Sequence, residues 1–192
     1  MKKTIAKAGE FQFKERQSLF HAYVFPVDTK GDVTERLQEL KKTHPSATHI
    51  CYAWRLGDDK NVYRANDDGE PSGTAGLPIL NQIDSYGLTD VLLAVVRYYG
   101  GTKLGTHGLI QAYKHAAGQC LFSSEIIEKI EHEEMQFSAA FDQLAAVMRV
   151  LKQHKAQLLA EAYDQCAVMK IKVEKQKANQ LKRELENLVI RP

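Results

Sequence analysis

The most apolar stretch of the chain, Val91–Val96, reads VLLAVV. β-Branched and leucine side chains occupy both parities there, which predicts a strand buried on both faces. Upstream, Thr4–Val27 alternates weakly and then clearly, with Phe20, Ala22 and Val24 on one parity and Leu19, Tyr23 and Phe25 on the other. It reads as two or three strands with a turn near Gly9. Helical spacing takes over at Val33, Leu37 and Leu40, with Gly31-Asp32 as the expected N-cap and His44-Pro45 as the stop. Thr48, Ile50, Tyr52, Trp54 and Leu56 then alternate with His49, Cys51, Ala53 and Arg55, giving a strand with one richly apolar face. Gly57–Asn66 is a polar loop whose GDDKN sequence suits a hairpin turn. A short helix is expected over Ala75–Ile83, with Pro78 in its first turn. A longer one is expected over Leu109–Phe122, where Leu109, Ala112, Tyr113, Ala116 and Cys120 share a face.

The polar segment Ser123–Glu134 separates a region with its own period. Met135, Phe137, Ala139 and Phe141 alternate as a strand, and Asp142 is placed to cap a helix carrying Leu144, Val147, Met148 and Leu151. Leu158–Tyr163 and Ala167–Val173 read as a hairpin around Asp164-Gln165, and Ala178, Leu181, Leu185 and Leu188 stripe a final helix. The order βαββα predicts a small ferredoxin-like α+β sandwich in which Val189-Ile190 leaves almost nothing for a fourth strand. Two domains are expected, 1–128 and 135–192.

Composition adds bounds rather than an answer. The net charge of +2 is too small to imply a polyanion partner by itself. Cys51, Cys120 and Cys166 are odd in number and widely spaced, which points to reduced thiols. The N-terminus carries lysines without an apolar run behind them, and no stretch approaches the ~18–20 apolar residues of a membrane span. A soluble cytoplasmic protein with no membrane partner is the expectation.

Candidate chemistry gathers in two glycine-rich loops, Asp67–Gly76 and Gly100–Gly108, that bracket the buried strand in sequence. They are expected to meet as one recognition surface. The residues offered for it are Asp67, Asp68, Gly69, Glu70, Ser72, Gly73 and Thr74 from the first loop and Gly100, Gly101, Lys103 and His107 from the second. Arg97 joins them from the strand end. The three carboxylates suit Mg²⁺ with substrate phosphates completing its shell, or they cap turns and pair with Arg97; the pairing is preferred, because an arginine on a buried strand end needs a partner. Lys103, beside glycine N–H groups at a helix start, suits a single phosphate. Against a polyanion stands the local balance, five carboxylates to two cations between Asn66 and Gly108.

Other signatures do not fit. The second loop lacks the order of a Walker A loop and the spacing of a dinucleotide fingerprint, and GEPSG is not a nucleophile elbow. The seven histidines show no zinc-type spacing. His49 and Cys51 share a strand side, where an ordinary buried thiol is preferred over a catalytic pair. Lys170 and Lys172 share the polar face of their strand, which is either a solvated face or a phosphate-tracking surface for nucleic acid.

DDGEPSGTAGLPIL at 67–80, VVRYYGGTKLGTHGLIQAY at 95–113 and ATHICYAWRLG at 47–57 resemble the IMPACT family, whose bacterial members are the YigZ-like proteins. The stretch after Met135 resembles the small C-terminal domain of those members. The chain departs from the usual pattern at Leu77, His107 and Gln111. The resemblance implies an α+β N-terminal domain of the kind shared by a ribosomal small-subunit protein, elongation-factor domain IV and galactokinase-type kinases, followed by a ferredoxin-like domain. Eukaryotic relatives are translational regulators and carry a further domain that this chain lacks.

Three functions follow as expectations. The first is a non-enzymatic protein linked to translation that binds structured RNA or the ribosome, using Lys103, Lys170 and Lys172. The second is an enzyme acting on a phosphorylated or acidic small molecule between the loops. The third is a module that binds a basic protein partner through the acidic loop. No cofactor is expected.

Overall fold

A computed structural model describes residues 2–57, 61–186 and 188–189. The protein is α+β and divides into two compact units, Met1–Lys129 and Ile130–Pro192.

The first unit runs β1 (Lys2–Ile5), β2 (Gly9–Glu15), β3 (Ser18–Pro26), α1 (Lys30–Thr43), β4 (His49–Arg55), β5 (Tyr63–Asn66), α2 (Gly76–Ser85), β6 (Val91–Tyr98), α3 (Gly105–Phe122) and β7 (Ile126–Lys129). Five strands form one antiparallel sheet in the order β2-β3-β6-β4-β5, and β1 pairs with β7 in a separate ribbon. β6 lies between β3 and β4 and is antiparallel to both, so α1 connects two parallel strands across it.

Helices cover both faces of the sheet, which is why Val91–Val96 is apolar on both parities. On one face Phe20, Ala22, Val24, Cys51, Leu93 and Val95 pack beneath α2 and α3. On the other, Ile50, Trp54, Leu92, Ala94 and Val96 pack with Val33 and Leu40 of α1. β4 is therefore buried on both sides rather than on one; its small Cys51 and Ala53 make room for the helices above them.

Three local readings need correction. Thr29, not Gly31-Asp32, caps α1; Asp32 sits at the third helical position and completes a capping box with Thr29. The helix expected at Leu109 begins at Gly105, so His107 belongs to its first turn and not to a loop. Ser123–Glu134 is not only a connector, since it contains β7 and the start of the next strand. Most of the GDDKN turn between β4 and β5 lies outside the described residues.

The second unit comprises β8 (His132–Ala139), a 3₁₀ turn (Phe141–Gln143), α4 (Leu144–Gln153), β9 (Gln157–Tyr163), β10 (Ala167–Glu174) and α5 (Lys175–Leu185). β10 pairs antiparallel with both β8 and β9, so β8-α4-β9 is a βαβ unit split by β10, compatible with a ferredoxin-like order. Met169, Ile171 and Val173 pack against Val147 and Leu151 of α4 and Ala178, Leu181 and Leu185 of α5. Asp142 lies inside the 3₁₀ turn and makes no side-chain cap to α4. Ile190 lies outside the described residues.

Candidate functional site

β5 ends at Asn66 and the first glycine loop turns back across the start of β4, where each acidic side chain finds a partner within the protein. Asp67 Oδ1 accepts from Ala75 N (2.9 Å) and Gly76 N (2.8 Å), and Oδ2 accepts from Gly73 N (2.9 Å). Asp67 thereby supplies the cap that Ala75 cannot give α2. Burial works to raise its pKa, but the three N–H donors prevail and hold it below the usual aspartate value. Asp68 Oδ2 accepts from Ile50 N at 2.6 Å, with its own backbone at φ 43°; Gly69 and Gly73 follow with φ of 88° and 76°. Thr74 is buried and its hydroxyl donates to Pro71 O at 2.6 Å, while Ser72 is exposed.

Glu70 points inward. Its Oε1 accepts from Arg97 Nη1 at 2.6 Å and from the Tyr113 hydroxyl at 2.8 Å. Arg97 Nη2 donates to Ser18 Oγ at 3.3 Å, and the same oxygen accepts from Gly100 N at 3.2 Å. The guanidinium lies 5.5 Å from the Phe20 ring and 5.4 Å from the Tyr99 ring, while its Nε is buried without a hydrogen-bond partner. Cys51 Sγ stands 3.0 Å from Asp67 O and 3.3 Å from Tyr113 Oη. Burial pushes both this thiol and the Tyr113 hydroxyl strongly up, so both stay protonated.

The first glycine loop thus lies at the Arg97 end of β6, the end from which the second loop departs. His49 faces Arg97 across the β4–β6 ladder, which places Asp68 and Glu70 beside the start of the second loop. Gly100 is pressed against the β2–β3 turn: a Cβ there would lie 2.1 Å from the Gln17 carbonyl. Gly101 has φ 86° with open space around it, and Lys103 is exposed. His107 looks away from the acidic loop. It lines a cleft with Arg16, Gln111 and His115 that takes nothing from residues 67–76.

Glu70 pairs with Arg97, and Asp67 and Asp68 satisfy backbone donors. Among the described residues no three His, Cys, Asp or Glu side chains are arranged to hold a metal ion. His49 does not engage Cys51; its Nδ1 lies 2.7 Å from Asp68 O, which fixes the proton on that nitrogen. The remaining acids of the central stretch are also paired, Asp84 with Arg55 and Asp90 with Lys129.

Residues 16–121 match the Impact N-terminal domain and residues 137–189 match a domain of unknown function, DUF1949. The chain belongs to the IMPACT family. It is 34% identical to the IMPACT family member YvyE of Bacillus subtilis (strain 168) over 92% of this chain and 81% of that protein. Against the IMPACT family member YigZ of Escherichia coli (strain K12) the figures are 34%, 70% and 67%. Protein IMPACT of Rattus norvegicus is 34% identical over 47% of this chain, which covers 30% of that longer protein. A crystal structure of a hypothetical protein superposes over the whole chain with a TM-score of 0.76 at 27% identity, covering 98% of that chain.

Within this IMPACT protein four lysines of the second unit are held in ion pairs. Lys170 pairs with Glu134 at 2.8 Å, Lys175 with Glu131 at 2.9 Å, Lys177 with Glu174 at 2.7 Å and Lys182 with Glu133 at 2.6 Å. Lys172 is half-buried beside them. In the first unit Lys14, Arg16, Lys103 and Lys114 are exposed and have no ion-pair partner among the described residues. Sequence reasoning missed Ser18, for which no signal exists. It took Tyr113 only as a core residue of the helix face and Gln111 only as a departure from the family pattern, and nothing marked Arg16.

Proposed function

We propose that this IMPACT protein is a non-enzymatic binding protein of the translation apparatus that contacts RNA through its N-terminal unit. One contrast carries the reading. Every carboxylate of the central stretch is engaged inside the protein, while Lys14, Arg16, Lys103 and Lys114 project around β2, the second loop and α3 without ion-pair partners among the described residues. Ion pairing neutralises Glu70, Asp84 and Asp90, which lowers the repulsion on a phosphate backbone; Asp67 and Asp68 keep their charge, held by backbone N–H groups. The link to translation is what the family resemblance implies.

The network at Glu70 supports a scaffold better than a reaction centre. Tyr113 and Cys51 stay protonated there, and the guanidinium is consumed by a buried carboxylate. Lys170, paired with Glu134, contributes less to RNA than Lys103.

Fluorescence anisotropy with a labelled ribosomal RNA fragment tests the proposal. Affinity is expected to fall steeply with salt and to drop in Lys103→Glu, with Lys170→Glu near wild type. No measurable binding at low salt rejects it.

A further inference from the structure

A cleft of about 580 Å³ opens beside β2, between its last residues and the first three turns of α3. That volume falls within the range of small-ligand sites, which typically combine an apolar floor with a few converging polar groups. Phe13, Leu104 and Ala112 supply the floor. Phe13 is held in place by Phe20, with ring centroids 5.3 Å apart, and by the edge of His115 at 4.8 Å. Glu15, Arg16, His107 and Gln111 form the rim.

Arg16 is put there at a conformational cost. Glu15 pairs with Ser18, so Arg16 and Gln17 alone make the β2–β3 turn, with φ of 42° and 67°. Such a turn favours Asn-Gly, and neither residue found here suits the left-handed region. The close seat of Gly100 on the Gln17 backbone holds the turn in this form. Strained residues of this kind often occur at ligand sites, and Arg16 stands at the lip of the cleft.

We propose that the cleft receives one unpaired nucleotide of single-stranded RNA, its base lying against Phe13 and His115 and its phosphate taken by Arg16. The proposal rests on the RNA reading above and names the part of the molecule that is read. Exposed bases stack on Phe and His side chains, and a planar guanidinium suits a phosphate. Gln111 offers a donor and an acceptor, Glu15 an acceptor and His107 either, the mixture that a base edge presents in reverse. A duplex keeps its ring faces internal and cannot use such a floor. Exposed Lys103 and Lys114 adjoin the lining residues Leu104 and His115 and suit a continuing backbone rather than a lone mononucleotide.

The test titrates the full chain with a labelled unstructured RNA decamer, a hairpin duplex of the same composition and free AMP. The decamer is expected to bind most tightly. Arg16→Ala and His115→Ala, both at exposed positions, are each expected to weaken it by about tenfold, in line with the loss of one stacking or charge-assisted contact. His107→Ala is expected to lower the preference for one base over another. If the Arg16 and His115 variants bind like wild type while Lys103→Glu is weakened, the cleft is not the site and the RNA reading stands. If the duplex binds as well as the decamer, or AMP binds as tightly, the single-stranded occupant is wrong. If no RNA binds at low salt, both readings fail.

Discussion

Glu70 and Arg97 form an ion pair at 2.6 Å whose side chains are only 4% and 6% exposed. They come from different elements, the first glycine loop and the end of β6, and their pairing locks the loop onto the central strand. Tyr113 adds α3 through the same carboxylate oxygen, and Ser18 adds the start of β3 and the second loop through Arg97. Four segments distant in sequence therefore share one buried polar cluster, which is a scaffold for the surface around it.

Glu70→Ala leaves the Arg97 charge buried without its partner. Its expected cost is about 3–5 kcal/mol of unfolding free energy in a urea titration. The paired replacement Glu70→Leu with Arg97→Met is expected to recover most of that loss. A cost below about 1 kcal/mol for Glu70→Ala contradicts the locking role, because that is the range of exposed pairs.

Gly100 and Gly101 are neighbours with different reasons for being glycine. Gly100→Ala places a Cβ against the Gln17 carbonyl and is expected to disrupt the β2–β3 turn, seen as shifted amide resonances across Glu15–Ser18. Gly101→Ala meets open space and only a positive φ, and about 1 kcal/mol of destabilisation is expected. Equal effects at the two positions contradict the close-approach argument.

Asp67 caps α2 from outside the helix. Asp67→Ala is expected to cost about 1–2 kcal/mol. Because the folded carboxyl titrates below its unfolded value, its stabilisation is present above the unfolded pKa near 3.8 and is lost as pH falls through the lower folded value. An acid titration in which wild type and Asp67→Ala lose stability in parallel contradicts this account.

The α1 face of the sheet carries a chain of contacts from Glu10 to His21 (3.1 Å), Tyr23 (2.9 Å), His44 (2.8 Å) and Tyr98 (2.7 Å). Burial and then His21 lower the His44 pKa, against an opposing pull from Glu10. Burial first, then Glu10 and Tyr98, raise Tyr23 to about 12. Near the unfolded value of 6.5 the folded state therefore binds fewer protons at His44 than the unfolded state does. Stability is expected to rise with pH through that region and to fall on acidification below it. His44→Gln is expected to flatten the dependence between pH 7.5 and 5.5; an unchanged slope contradicts the assignment.

The elements were legible wherever periodicity was strong. Val91–Val96 announced a doubly covered strand, and Leu109, Ala112, Tyr113 and Ala116 announced the buried face of α3. The cap of α1 was misplaced: Gly31-Asp32 reads as the N-cap, whereas Thr29 caps the helix with Asp32 three residues on. β7 was not legible, since Ile126 and Ile127 sit among charged residues and pair with a strand more than a hundred positions away. In the site, the need of a buried arginine for a carboxylate pointed from Arg97 to the three acids of the first loop, without distinguishing Glu70 among them. The cap by Asp67 acts across eight residues of irregular loop, beyond any local capping pattern. The Arg16-Gln17 turn lacks turn-forming residue types, so the cleft beside it was invisible until the chain was folded.

Photocrosslinking of a 4-thiouridine-containing RNA to the full chain, with the modified peptides mapped by mass spectrometry, tests where the molecule meets RNA. Crosslinks are expected within 13–17 and 103–115, and they should weaken in Lys103→Glu. Crosslinks confined to β10 around Lys170 and Lys172, or none at low salt, contradict the account.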